Sequence, residues 1–205
     1  MIKISTEIPH KIAVAKLCNK LEPDAKFTGA VNWIKYDKNR ELIGNNFDGK
    51  GFVNGFLSKN HSFENKSVCI FGAGGASVAI ASSVADQRIK FLKLINRDID
   101  KAFNLREKLT KKFNFLKVEI CPENNYSLND CDIIINATSL GLKKNDKLPF
   151  DVMKSPANSI IADIIMQPEE TSLLKLAKSL GRSVHYGKSM IESQIDLAGE
   201  FLNLW

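Results

Sequence analysis

The chain has 205 residues, of which 44% are hydrophobic and 25% charged, so it is long enough to bury a core as one large domain or two small ones. Its net charge of +6 comes from scattered lysines, and no basic stretch is interleaved with aromatic residues, which argues against nucleic-acid binding. Because the four cysteines show no C-x-x-C spacing and no signal peptide or membrane-spanning run is visible, we expect a cytoplasmic protein without a bound metal or a membrane segment.

The N-terminal segment, residues 1–60, has a mixed pattern. We expect an amphipathic helix over residues 10–21, two short strands about a K-N-R turn within residues 30–44, and a further helix that begins near Lys50. This segment is too short to form a complete α/β layer of its own. The polar stretch N-H-S-F-E-N-K then predicts a domain boundary near residues 60–65.

From residue 66 onward, short apolar runs alternate regularly with helical patterns. Buried strands are predicted at residues 66–71, 91–96, 118–121, 132–138, 159–166 and 183–187. Helices are predicted at residues 76–86, 98–113, 168–181 and 188–205. Strands that alternate with helices predict an α/β fold with a Rossmann-type, doubly wound parallel sheet.

The first strand of this series ends in the motif V-C-I-F-G-A-G-G-A-S, which leads directly into a helix. Gly72 permits a tight turn and Gly74 lets the backbone approach a pyrophosphate, while the small residues Gly75 and Ala76 allow close packing of helix on strand. A glycine turn without a ligand would have the same composition. The strand before and the helix after the motif favour a dinucleotide site.

The second strand ends at Asn96-Arg97-Asp98, where such folds recognise the ribose of adenosine. Arg97, with Lys101 one helical turn later, favours the 2′-phosphate of NADP, whereas Asp98 would suit the ribose hydroxyls of NAD. Asp98 is also a candidate N-cap of the following helix. On balance the pattern favours NADP, with NAD possible.

A third motif, N-A-T-S-L-G, follows the strand at residues 132–138 and includes Thr138 and Ser139. Small polar residues at the carboxyl end of a central strand lie where the nicotinamide half of the cofactor passes. A simple Ser/Thr turn is the alternative interpretation of this motif alone.

Taken in order, several motifs together resemble the shikimate/quinate dehydrogenase family, a family of NADP- or NAD-dependent enzymes of aromatic-precursor metabolism. These motifs are I-P-H-K (8–11), G-A-V-N (29–32), N-x-D-G-x-G-F (46–52), G-A-G-G-A, N-R, N-A-T-S-L-G, P-x-x-T-x-L-L and G-x-x-M-x-x-x-Q. The resemblance covers nearly the whole chain. It implies reversible hydride transfer between NADP and the pair 3-dehydroshikimate and shikimate.

The resemblance also implies a role for residues outside the cofactor motifs. Lys11 matches the catalytic lysine of the family and Asp48 its acid partner, and such a pair can take the hydroxyl proton when a hydride leaves the same carbon. Asn32 and Gln194 match residues that hydrogen-bond the substrate, and Met190 matches a residue that packs near the nicotinamide. Without the resemblance, Lys11 would be interpreted as an exposed lysine at a helix start and Asp48 as a turn-capping residue.

The family organisation further implies that residues 1–63 form a partial substrate-binding and catalytic domain. The last helix, within residues 188–205, would pack back onto this domain, and residues 64–187 would form the NAD(P)-binding domain. The expected partner is a small cyclic hydroxy acid, and the expected state is a monomer or a homodimer.

The chain departs from the family pattern at several positions. It begins just before I-P-H-K and so does not include the preceding stretch with the Ser-x-Ser motif that binds the substrate carboxylate. Glu7, Trp33 and Phe47 each replace a threonine, and Met166 replaces an aromatic residue. These departures suggest a fragment, a misassigned start or a shortened homologue. The alternatives are an NAD-dependent enzyme for quinate or another hydroxy acid, and a catalytically inert dinucleotide-binding protein.

Overall fold

The computed structural model of the chain describes residues 3–5 and 10–204. The strands are Lys3–Ser5 (β1), Lys20–Leu21 (β2), Trp33–Tyr36 (β3), Leu42–Asn45 (β4), Ser67–Phe71 (β5), Phe91–Asn96 (β6), Val118–Pro122 (β7), Ile133–Asn136 (β8), Ile160–Asp163 (β9) and Ser183–His185 (β10). The helices are Lys11–Leu17 (α1), Pro23–Thr28 (α2), Asp48–Leu57 (α3), Gly75–Ala85 (α4), Ile99–Lys112 (α5), Ser172–Ser179 (α6) and Lys188–Phe201 (α7), with a 3₁₀ turn at Val152–Lys154.

The larger sheet has six parallel strands in the order β10-β9-β8-β5-β6-β7. All five residues of β5 are buried, and successive side chains face opposite sides: Val68 and Ile70 belong to the core beneath α4 and α5, while Cys69 and Phe71 belong to the core beneath α6. The strand order reverses between β5 and β8, which places a ligand crevice at the carboxyl ends of these two strands. The predicted Rossmann-type fold is confirmed.

The smaller sheet has the order β1-β3-β4-β2, in which β3 pairs antiparallel with β1 and β4, and β2 pairs parallel with β4. A small core of Ala15, Ala25, Val31 and Ile34 joins α1 and α2 to this sheet. The N-terminal segment therefore forms a layered α/β unit, although the sequence suggested that it was too short for one. The division into domains at residue 63 stays a prediction.

The first helix is shorter than the sequence predicts, because it ends at Leu17 and not at Leu21. Asn19 leaves the helix to pair with Leu42: its backbone N–H donates to the Leu42 carbonyl at 2.8 Å, and its side chain accepts from the Leu42 N–H at 2.7 Å. These bonds fix β2 beside β4. The unexpected α2 then begins at Pro23, whose ring suits the first turn of a helix.

Helix α3 lies between α4 and α7 and contacts both. Its glycines permit this close approach: a Cβ at Gly49 would lie 2.2 Å from the Ala79 carbonyl oxygen, and one at Gly51 would lie 2.7 Å from the Met190 carbonyl oxygen. The first turn of α3 is thereby held close to both α4 and α7. None of the helices in the described part of the chain is long and apolar enough to cross a membrane.

Candidate active site

Four polar side chains from separate elements meet beside the N-terminus of α3. Lys11 begins α1, Asp48 begins α3, Asn32 directly precedes β3, and Gln194 lies in α7. The Lys11 ammonium lies 3.0 and 3.2 Å from the two carboxylate oxygens of Asp48. The structure therefore brings together the two residues expected to be catalytic and the two expected to bind substrate.

The amide of Asn32 links this ion pair to α7. Its Nδ2 donates to the Asp48 Oδ1 atom at 2.9 Å and to the Gln194 Oε1 atom at 3.2 Å. The side chains of Lys11 and Asp48 are 16% and 8% exposed, so the pair is partly removed from water but still accessible from one side. Such a pair can exchange a proton with a bound hydroxyl group.

The turn before α3 is held by an asparagine and not by Asp48. Asn46 Oδ1 accepts a hydrogen bond of 3.0 Å from the Asp48 backbone N–H, as in an Asx turn. The Phe47 N–H donates to Asn32 Oδ1 at 3.0 Å, which fixes the orientation of the Asn32 amide. Since these partners shape the turn, the Asp48 carboxylate is directed toward Lys11 and does not cap the helix.

Phe47 is 5% exposed and packs edge-on against Phe201 near the end of α7, with ring centroids 5.7 Å apart. The Lys35 ammonium lies 4.3 Å from the centroid of the Phe201 ring and also donates to the Phe201 carbonyl. Phe47 thus connects the turn before α3 to α7. Trp33 is half-buried at the start of β3. Glu7 lies outside the described residues.

A cleft of about 270 Å³ opens at the carboxyl ends of β5, β6 and β8. Gly72 has φ +110°, and a Cβ there would lie 2.9 Å from the Ala137 carbonyl oxygen, so glycine fits this turn. A Cβ at Gly74 or Gly75 would face open space, and the first amides of α4 have no acceptor within the helix. These features fit a pyrophosphate above the helix N-terminus, and Ala76 is half-buried in the first turn.

The far end of the cleft is lined by Asn96, Arg97, Asp98 and Lys101. Asp98 caps α5: its Oδ1 accepts from the Lys101 N–H at 3.3 Å, and its Oδ2 lies 3.3 Å from the Lys101 ammonium. The backbone N–H of Lys101, followed by its side chain, lowers the pKa of Asp98. The Arg97 guanidinium is exposed and has no hydrogen-bond or ion-pair partner within the described residues, which suits an incoming phosphate.

Thr138 and Ser139 both line the cleft but differ in their bonding. The Thr138 hydroxyl donates to Asn136 Oδ1 at 2.7 Å and accepts from the Leu140 N–H at 3.1 Å, so it shapes the loop. Ser139 is exposed, and its hydroxyl has no partner among the residues that the structure describes. Ser139 is therefore the better placed of the two to hydrogen-bond a ligand.

Met190 lies apart from this cleft. It is 8% exposed and packs in the hydrophobic core near α3. Glu123 and Lys147 line the cleft, were not expected from the sequence, and form an ion pair of 3.0 Å. Both lie in loops whose approach to Arg97 depends on the fold, so the sequence carried no local signal for them.

No group of three or more His, Cys, Asp or Glu side chains within residues 3–5 and 10–204 could hold a metal ion.

The fold and the site can be compared with known proteins. The family model for shikimate/quinate 5-dehydrogenase matches residues 56–164. The chain is 35% identical to an NADP-dependent shikimate dehydrogenase of Bacillus cereus, over 94% of this chain and 69% of that protein.

Solved structures agree with this result. A shikimate dehydrogenase in complex with NADP+ superposes with a TM-score of 0.90 at 31% identity, over 98% of this chain and 70% of that one. The 5-ketofructose reductase of a Gluconobacter species superposes with a TM-score of 0.88 at 33% identity, over 98% and 72% of the two chains. The family match, the identity to full-length relatives and the shared fold lead to one conclusion: this chain belongs to the shikimate/quinate dehydrogenase family.

Proposed function

We propose that the chain catalyses reversible, NADP-dependent hydride transfer between shikimate and 3-dehydroshikimate. The observation that carries this proposal is the bonded group of Lys11, Asp48, Asn32 and Gln194, which forms from four distant parts of the sequence. The similarity to shikimate dehydrogenases that use NADP supports both the substrate class and the cofactor.

In this proposal, the Lys11–Asp48 pair takes the proton of the substrate hydroxyl when its carbon loses a hydride and becomes a carbonyl carbon. In the reverse direction the pair returns the proton to the carbonyl oxygen, so charge and atoms balance. Asn32 and Gln194 present amide groups that can hold the remaining hydroxyls of a cyclic hydroxy acid. Because Asn32 donates to both Asp48 and Gln194, it fixes the substrate-binding amide of Gln194 relative to the carboxylate of Asp48.

Bound NADP supplies the nicotinamide that accepts or returns the hydride. The turn at Gly72, Gly74 and Gly75 would hold its pyrophosphate at the N-terminus of α4, and Arg97 would pair with the 2′-phosphate. The two carboxylate oxygens of Asp98 already contact the backbone N–H and the ammonium of Lys101, so Asp98 is poorly placed to accept ribose hydroxyls. These contacts favour NADP over NAD.

We also propose that the enzyme acts in the cytoplasm, as a monomer or a homodimer. The four cysteines are all free, and free buried thiols are typical of a reducing compartment. Sedimentation of the purified chain would distinguish the two assembly states.

A second candidate activity is the reduction of a different polyhydroxy ketone. It is favoured by the similarity to 5-ketofructose reductase, and by the aromatic residues Trp33 and Phe47 beside Asn32 and Asp48. Absorbance of the reduced nicotinamide, followed with shikimate, quinate and 5-ketofructose against both cofactors, tests the proposal. Turnover of shikimate with NADP supports the proposed shikimate dehydrogenase activity. Preference for another substrate, or NADP binding in calorimetry without any turnover, contradicts that proposal.

A further inference from the structure

The last residue of β9, Asp163, is fully buried and outside both sites described above. Its Oδ1 accepts hydrogen bonds of 3.1 Å from the Asn136 side chain and of 3.1 Å from the Ile165 N–H. Its Oδ2 accepts one of 2.8 Å from the Thr171 hydroxyl. Burial raises the pKa of Asp163, and these donors oppose the rise. One carboxylate thus bonds both the end of β8, which leads into the loop at residues 137–141, and the loop at residues 164–171.

The first of these loops lines the cofactor cleft. Asn136, which donates to Asp163, also accepts from the Thr138 N–H at 3.1 Å and from the Thr138 hydroxyl at 2.7 Å. Its Nδ2 donates to the Leu140 carbonyl at 3.0 Å. Asn136 is itself fully buried, so its side chain acts on the cleft through these bonds and not by touching a ligand. The position of Asp163 therefore helps to set the shape of the loop at residues 137–141.

The second loop, residues 164–171, lies directly against the first. Gly141 has φ +114°, and a Cβ there would lie 3.1 Å from Ile165 Cδ1 and 3.6 Å from Thr171 Cβ. A side chain at Gly141 would press on Ile165 and would be strained by the left-handed backbone conformation. The two loops thus share both a buried hydrogen-bond network and a close packing contact.

The second loop also supports the start of α7. A Cβ at Gly187, the N-cap of α7, would lie 2.5 Å from the Ile165 carbonyl oxygen and 2.6 Å from the Ile164 carbonyl oxygen. Helix α7 carries Gln194, whose side chain accepts a hydrogen bond from Asn32 beside the Lys11–Asp48 pair. A continuous set of contacts therefore runs from the cofactor loop through Asp163 and Ile165 to the helix that reaches the substrate site.

We propose that Asp163 is a positioning residue: by holding the loops at residues 137–141 and 164–171 together, it fixes the cofactor cleft relative to Gln194 on α7. This inference rests on the proposed function. In hydride transfer, donor and acceptor carbons must be held at a short distance, so a small shift between cleft and α7 slows the chemical step more than it weakens binding. Asp163 touches neither ligand and acts only through its partners.

The test compares three buried hydroxyl variants with Asp163→Asn. Thr171→Val removes the donor to Asp163 and Thr171→Ser retains it, whereas Ser159→Ala removes a hydroxyl bond of 2.8 Å to the Pro156 carbonyl, directly before the start of the same strand. We expect Asp163→Asn and Thr171→Val to lower kcat for shikimate oxidation by about tenfold or more, with KM for shikimate within about twofold of wild type. Thr171→Ser and Ser159→Ala should retain the kcat of the wild type.

The inference is overturned if Asp163→Asn and Thr171→Val retain kcat, or if Ser159→Ala loses as much. Amide hydrogen exchange of the wild type and of Asp163→Asn provides a test that does not need turnover. We expect faster exchange in residues 138–142 and 187–190 of the variant, and changes confined to residues 164–171 would contradict the inference. A wild type without shikimate turnover would contradict the proposed function, and the exchange result would then decide the role of Asp163.

Discussion

At the scale of single residues, the Lys11–Asp48 pair is the part of the site with the most specific chemical expectation. We expect Lys11→Met and Asp48→Asn each to lower kcat/KM for shikimate oxidation by about 100-fold or more, because the hydroxyl proton loses its acceptor. The affinity for NADP+, measured by calorimetry, should stay within about twofold of wild type, since neither side chain lines the cofactor cleft.

Lys16 gives a matched control for Lys11. It lies in the last turn of the same short helix and is exposed, so Lys16→Met removes one lysine charge without touching Asp48. Full activity of Lys16→Met beside inactive Lys11→Met would support the dyad. Equal losses in the two variants would show that general charge or helix stability is responsible.

Arg97 carries the expectation for cofactor choice. Because its guanidinium has no partner in the described part of the chain, we expect Arg97→Gln to weaken NADP+ binding by about tenfold or more and to leave NAD+ binding nearly unchanged. Calorimetric titration with both cofactors measures this difference. Arg106→Gln, a change at a half-buried arginine on α5 outside the cleft, is the control, and an equal loss for NADP+ and NAD+ with Arg97→Gln would contradict the assignment.

The sequence could predict some site residues far better than others. The glycine turn and the Arg97 region follow directly from a strand that ends in a motif, because the geometry is local. Lys11 and Gln194 could be proposed only from a resemblance, since nothing local indicates that they approach one another. No local pattern indicates a role for Asp163, because the role of a buried acid at a strand end depends on partners that are distant in sequence.

At the scale of elements, the parallel sheet was predicted well and the smaller sheet poorly. The strand at residues 91–96 and the helix start at Lys188 agree with the predictions, because short apolar runs and helical spacing are local signals. The elements β2 and α2 depend on the pairing of Asn19 with Leu42, which is distant in sequence. Such pairings cannot be read from periodicity.

The contact between α3 and α7 leads to a prediction at this scale. A Cβ at Gly51 would lie 2.4 Å from Gln194 Cγ, whereas one at Gly55 would lie 2.5 Å from the Ser189 carbonyl oxygen. Alanine in a helix normally gains about 1 kcal/mol over glycine, but overpacking costs about 1–3 kcal/mol, so we expect both Gly51→Ala and Gly55→Ala to lower the free energy of unfolding. Only Gly51→Ala should also raise KM for shikimate, because only it displaces Gln194.

Urea unfolding and steady-state kinetics of the two alanine variants test this expectation, with Asn54→Ala on the exposed side of α3 as a control. A rise in KM of similar size in Gly51→Ala and Gly55→Ala would mean that helix spacing in general, and not the position of Gln194, controls substrate binding.

At the scale of the whole molecule, His185 lies where the edge strand of the large sheet contacts helix α3. It ends β10, is 2% exposed, and packs against Phe52 and Phe56 of α3 at ring-centroid distances of 5.7 and 5.1 Å. The next residues lead into α7. Its Nε2 atom has no hydrogen-bond partner in the described residues, so a proton there would be buried without an acceptor.

This environment makes the stability of the protein sensitive to acid. Burial, followed by the positive charges of His61 and Lys59, lowers the pKa of His185 from 6.5 to about 4. The unfolded chain therefore binds a proton below pH 6.5 that the folded chain does not, so the free energy of unfolding falls as the pH drops from 6.5 toward 4. This difference in pKa between the unfolded and folded chain lowers the free energy of unfolding by about 3 kcal/mol once the pH lies below both pKa values.

Urea unfolding of the wild type and of His185→Leu across this pH range measures the effect, with His10→Gln as an exposed control. We expect His185→Leu to have a smaller pH slope than the wild type and His10→Gln the same slope. An unchanged slope in His185→Leu would assign the acid sensitivity to other groups.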